Sequence, residues 1–291
     1  ICKPKECRRC GERLSGNDSS PLLHQVWEMP EIKPRVTEYQ RHRLTCVCCG
    51  ESTCGGLPPD VSTSQAGPRL TAFVGLLLGC FRQSKSRTAL FLERIMNQHC
   101  STGWVVKLQN QMTAAVLPAC QELLARLPKQ KRLNIDETPA KERAKKSWLW
   151  TFVAEKFTTF AVRPTRSRDV LNELLSDDYQ GVVGCDRAKM YYHFPNAQWC
   201  WAHLKRDFQA LIDSGDKGAA RWGRKLLKPT RKLFELFARY RDGTLTRRGW
   251  KRLMSPLREE VELVLVGGNL RGPTSIRGMF RDLYNYRERL W

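Results

Sequence analysis

No stretch of the chain is apolar for long enough to cross a bilayer. The longest, FVGLLLGCF at positions 73–81, is too short and is broken by Gly75 and Gly79. No secretory signal is legible, and internal repeats and low-complexity tracts are missing too. These absences argue against a helical membrane protein, an exported disulfide scaffold and a repeat array. A cytoplasmic protein with no membrane partner is expected.

Negative charge is also scarce. Asp and Glu number 29 against 50 Lys and Arg, a formal net charge of +21 over 291 residues. The excess is spread along the chain and not confined to a tail, so it reads as more than a solvated surface. A phosphate-rich partner gains from counterion release on such a chain, and nucleic acid is the expected partner.

Cysteine, by contrast, is plentiful, at 12 residues. Without a secretion signal these read as reduced thiols and metal ligands, not disulfides. The length suits two or three domains, one with a sizeable core. The chain starts at Ile1 and stops at Trp291 inside a helical-looking run, which reads as a longer frame truncated at both ends.

Three segments are expected, giving a multidomain protein of α+β and α/β type. Residues 1–58 are rich in cysteine and glycine and read as loops around short strands, with VTEYQRHRLTC (36–46) as a ribbon strand. Residues 67–128 switch to a helical period. Leu70, Phe73, Val74, Leu77 and Leu78 share a face, and Leu90, Leu92, Ile95 and Met96 continue it. Ser101 or Thr102 is the expected cap of the next helix, so the segment is compatible with a helix-turn-helix reader and equally with a plain helical hairpin. From 130 to 291 the pattern is mixed. RLNID opens as a strand, 147–155 and 157–164 as a hairpin, 168–179 as a helix and GVVGCD (181–186) as a fourth strand. Residues 197–212 read as a strand feeding a helix. A mostly helical insertion follows over about 205–270, with breaks near Gly215, Pro229, Gly243 and Pro256.

Two C-x-x-C hooks stand out in the first segment: Cys7 with Cys10, and Cys46 with Cys49, each followed by a glycine, Gly11 or Gly50. Four thiolates on two such turns close a tetrahedron around Zn²⁺, and a filled site is structural. The spacer of 35 residues is longer than in a minimal ribbon. The expected ribbon is a DNA-binding zinc finger, with Arg8, Arg9, Arg41, His42 and Arg43 beside the hooks.

Asp136 ends RLNID and Asp186 ends GVVGCD. If those strands are neighbours, both carboxylates meet at one sheet edge and can hold divalent metal. Two Mg²⁺ ions roughly 3.5–4 Å apart clamp the attacking and leaving oxygens of a phosphodiester displacement. Taken alone, an Asp at a strand end is more often a helix cap or turn residue. The joint layout of strand, hairpin, helix and strand, with acids on the first and fourth strands, is that of the ribonuclease H-like fold. After the second acid, His203 and Arg206 in CWAHLKRDF read as phosphate or carboxylate partners, or as an ordinary helix start. KERAKK (141–146), with Lys141, Lys145 and Lys146, reads as a phosphate-guiding loop beside Asp136, and the insertion's basic face (217–241) as a further DNA contact.

Four stretches in order, QVWEMPEIKPRVTEYQRHRLTCVCCG, IDET, GCDRAKMYYHF and CWAHLKRDF, together resemble the insertion sequence 66 family of bacterial transposases. The resemblance spans nearly the whole chain. It implies a DDE-type transposase, in which two Asp and one Glu hold Mg²⁺ or Mn²⁺ for cleavage at the transposon end and strand transfer. Asp136 matches the first acid and Asp186 the second. The third lies in a later Asn-Asn-x-x-Glu-Arg stretch, and Glu288 matches a helix upstream of it. The resemblance further implies transposon-end and target DNA as partners, a homo-oligomer on DNA, association with the nucleoid, and possible accessory proteins of the same element. The alternative is a truncated, inactive DNA-binding remnant that represses transposition.

Overall fold

The structure is a computed structural model that describes residues 1–142 and 144–291; Arg143, within the KERAKK run, lies outside them. The chain divides into two compact units, Ile1–Ala114 and Ala115–Trp291.

In the first unit the opening residues are almost wholly exposed, and no helix or strand forms between Arg13 and Arg43. The ribbon strand expected over 36–46 shrinks to β1 (Arg43–Thr45), antiparallel to β2 (Ser52–Cys54). Too few apolar side chains sit here to cover a longer ladder. Three helices follow: α1 (Pro68–Gly79), α2 (Lys85–Met96) and α3 (Thr102–Ala125), the last of which runs past Ala114 into the second unit. Their starts obey local chemistry. Pro68 supplies the preset φ of a first turn, the Ser84 hydroxyl accepts from the Arg87 N–H at 3.2 Å, and the Ser101 hydroxyl accepts from Trp104 at 3.1 Å. Ser101, not Thr102, is therefore the cap. Ala66, Val74, Leu92, Val105 and Leu108 form a small core. On α2 the expected face is only partly right: Leu92 is buried, while Leu90 and Ile95 face outward.

The second unit is mixed α/β, built on a five-stranded sheet of order β5-β4-β3-β6-β7. β3 (Arg132–Glu142) alternates Leu133, Ile135 and Glu137 inward. It pairs antiparallel with β4 (Lys145–Val153), which pairs antiparallel with β5 (Thr158–Arg163). On its other side β3 runs parallel to β6 (Val182–Cys185), and β6 parallel to β7 (Ala197–Trp199). α4 (Arg168–Leu175) makes the crossover between β5 and β6, burying Val170, Leu171 and Leu175. α5 (Trp201–Asp213), α6 (Lys217–Arg241), α7 (Arg247–Arg271) and α8 (Thr274–Asn285) follow. Trp150, Phe152, Val183, Trp199, Leu204, Phe208 and Phe280 lie in one continuous core.

Three sequence expectations need correction. Asp136 does not end its strand: β3 runs on to Glu142, because the β4 partner continues the ladder from Asn134↔Val153 to Glu142↔Lys145. At the end of the β3–β4 hairpin Lys141 and Glu142 pair with Lys146 and Lys145, so these residues of KERAKK lie in strands. The breaks foreseen at Pro229 and Pro256 do not occur; both prolines lie inside continuous helices. A proline withholds one backbone donor, but Pro229 sits on the buried face of α6, where packing outweighs the lost bond. The breaks at Gly215 and Gly243 do occur, each with positive φ, at +79° and +83°.

Candidate functional site

Parallel pairing brings Asp136 of β3 and Asp186, one residue past β6, to one end of the sheet. The β3–β6 register pairs Asn134 with Gly184. Two residues on, Asp136 and Asp186 occupy equivalent positions, just where β6 has ended and the β3–β4 hairpin projects past it. Gly184 leaves room for the Asn134 side chain: a Cβ there would fall 2.3 Å from Asn134 Oδ1.

The two carboxylates have different surroundings. The Asp136 side chain is 60% exposed, and His203 Nε2 lies 4.0 Å from its Oδ1. Both border a cleft of about 340 Å³ that Asn134, Gln198 and Trp201 also line, and Asp186 is not among its walls. The Asp186 side chain is 22% exposed. Its Oδ2 accepts from Arg166 Nη2 at 2.8 Å, and its Oδ1 from the Ala188 N–H at 2.8 Å. Arg166 also donates through Nε to Glu137, and the Tyr191 hydroxyl donates to the other Glu137 oxygen. Glu137, Arg166 and Tyr191 are residues that sequence reasoning missed. Burial pushes the Glu137 carboxyl above the ordinary range, against the pull of its bonds from Tyr191 and Arg166. Burial likewise pushes the Tyr191 phenol well up, with the Glu137 charge adding to it.

The next residue, Arg187, ties the site to the helices. It donates to Asp207 of α5 at 3.0 Å and lies 3.6 Å from Asp282 of α8, which also accepts from the Tyr192 hydroxyl at 2.7 Å. His203 is on the first turn of α5, with Nδ1 buried and without a partner. Arg206 is on the same helix and exposed. Lys141, Lys145 and Lys146 are exposed at the hairpin tip, with the Lys146 ammonium 5.4 Å from the centre of the Trp148 ring.

The cysteine hooks form two matching knuckles. In the first, Cys7 N–H donates to Glu12 O and Gly11 N–H to Cys7 O; in the second, Cys46 N–H donates to Glu51 O and Gly50 N–H to Cys46 O. Gly11 and Gly50 share a φ of +74°, the left-handed turn that a side chain would strain. Backbone N–H groups of Cys10 and Arg9 pull the Cys7 thiol below its ordinary pKa, and those of Cys49 and Cys48 do the same for Cys46. Donors aimed at sulfur favour the thiolate, which is the form that binds metal. Each knuckle thus fits half of a tetrahedral zinc site. Among the described residues, no three His, Cys, Asp or Glu side chains gather into one metal-holding group. The knuckles are not closed on each other, and Asp136 and Asp186 belong to no such group, although Glu137 shares Arg166 with Asp186. Arg8, Arg9, Arg41 and Arg43 are exposed around the knuckles, and Arg41 Nε donates to Gly55 O at 2.6 Å.

The cysteine-knuckle segment and the mixed-sheet unit that follows it both fall in matches to transposase families. Residues 4–50 match the zinc-finger binding domain of transposase IS66, and residues 63–279, most of the chain, match the Transposase IS66 family. The chain belongs to the IS66 family of transposases. The first match contains all four knuckle cysteines and the second contains Asp136 and Asp186. No curated protein matches the chain. No helix among the described residues is long and apolar enough to cross a membrane.

Proposed function

We propose that the chain binds the DNA ends of its insertion sequence and catalyses their metal-dependent cleavage and strand transfer, through a ribonuclease H-like sheet carrying Asp136 and Asp186. What supports this reading is the parallel β3–β6 register, which puts Asp136 of β3 and Asp186, one residue past the end of β6, at the same end of the sheet. Both supply the hard oxygen donors that Mg²⁺ or Mn²⁺ prefers. Asp136 and Asp186 would hold the dication, which would supply charge stabilisation at the scissile phosphate and a more acidic attacking oxygen. His203, close to Asp136 and on the same cleft, orients that carboxylate or meets the phosphate. The lysines of the hairpin tip, with Arg206, guide the DNA backbone toward the cleft. In the first unit Cys7, Cys10, Cys46 and Cys49 would hold one Zn²⁺, which would supply the fold of the segment that carries Arg8, Arg9, Arg41 and Arg43 toward DNA. The working form is a homo-oligomer on paired transposon ends in the cytoplasm, at the nucleoid, joined where required by accessory proteins of the element.

Asp136→Asn and Asp186→Asn test the reading. With labelled transposon-end duplex and Mn²⁺, each is expected to lower cleavage by roughly a thousandfold, since a metal-ligand carboxylate is worth several kcal/mol in the transition state. Binding of the same duplex should be unchanged. Normal cutting by the Asn variants would refute the assignment. A wild-type chain that binds the ends tightly and never cuts them would establish the other reading, a repressor of transposition.

A further inference from the structure

Arg166 lies between β5 and α4, and its guanidinium bonds in two directions at once: Nε to Glu137, and Nη2 to Asp186 Oδ2 at 2.8 Å. Glu137 is a firm anchor. Strand alternation in β3 sends it inward, its side chain is 1% exposed, and Tyr191, itself fully buried, holds its second oxygen. The Trp148 ring covers the guanidinium, with Cζ 5.4 Å from the ring centre. Arg166 is therefore held by parts of the fold that Asp186 does not touch, and it passes that placement on to Asp186. The Ala188 N–H pins the other Asp186 oxygen at 2.8 Å. With one donor on each oxygen the carboxylate is fixed, while each oxygen keeps a further lone pair free to bind a cation.

An ordinary stabilising salt bridge explains this poorly. A buried ion pair rarely outperforms apolar packing, and this one holds an acid next in sequence to Asp136. We propose that Arg166, anchored on Glu137, is a positioning residue that sets the orientation in which Asp186 receives a divalent metal. This deepens the proposed function and rests on it. Partners behind a metal ligand typically contribute 10–100-fold to metal affinity.

The test uses the full zinc-loaded chain and follows Mn²⁺ binding by electron paramagnetic resonance. The double variant Glu137→Gln/Arg166→Met removes the Glu137–Arg166 pair and leaves Asp186 held by the Ala188 N–H alone. It should keep the fold, by circular dichroism, and lose roughly 10–100-fold in Mn²⁺ affinity. Arg166→Lys keeps the charge but lacks a planar fork able to span both carboxylates, so a several-fold loss is expected with the fold intact. Asp186→Asn is the control and should lose the most. If Asp186→Asn weakens Mn²⁺ binding while either Arg166 variant, folded, binds like wild type, the positioning role is wrong and the metal site stands. If Asp186→Asn binds like wild type, or the wild-type chain takes up no Mn²⁺, the metal site itself is wrong and the positioning role goes with it.

Discussion

His193 packs its ring against Phe194, 4.0 Å between centroids, with Nδ1 2.8 Å from Met190 O and Nε2 buried without a partner. Burial lowers its pKa below the ordinary 6.5; Arg168 adds to the fall, while the Met190 bond and Asp177 oppose it. The unfolded chain then takes up this proton before the folded chain does. The stability contribution is complete above about pH 6.5 and is lost as pH falls through the lowered folded value. Urea unfolding of the wild type should accordingly weaken between about pH 7 and 5, and His193→Gln should weaken less over the same interval. Equal losses would show that His193 is not responsible. At this scale, legibility followed distance along the chain. The knuckles could be read because each hook is four residues long and carries its own glycine. The Arg166 bridge could not be read: its partners at Glu137 and Asp186 are 29 and 20 residues away, and Tyr191 is 54 residues from Glu137. A lone buried acid inside IDET has no local signature.

Among the elements, α7 and α8 pack through a glycine. A Cβ on Gly268 would lie 2.1 Å from the Phe280 ring, which is fully buried. Gly268→Ala gains about 1 kcal/mol of helix propensity but overpacks a closed contact, which typically costs about 1–3 kcal/mol. A net loss in urea denaturation is expected, and a gain would mean that Phe280 moves freely. Strand and helix types were mostly legible from apolar spacing. Their ends were less so, because a partner strand sets where a ladder stops. β3 outran its expected end at Asp136 because β4 keeps pairing to Lys145, and Pro229 failed to break α6 because its flanking residues are buried on one face.

Over the whole molecule the excess of cations dominates. With a net charge of +21, DNA affinity should fall linearly on a log–log plot against salt, by about 0.9 per phosphate neutralised. Replacing Lys141, Lys145 and Lys146 by Gln should flatten that slope by about 2–3, read by fluorescence anisotropy on a transposon-end duplex. An unchanged slope would remove the hairpin tip from the DNA path. Composition, the two cysteine hooks and the periodicity of each segment settled, from the chain alone, its charge, its knuckles and nearly every helix and strand. These depend on residues a few positions apart, and short-range sterics and hydrogen bonding act on that range. That β3 and β6 are neighbours, that their aspartates reach the same end, and that Glu137 turns inward to hold Arg166 depended on long-range packing. Such contacts form only when loops close and a shared core is buried, and no window of sequence contains both partners.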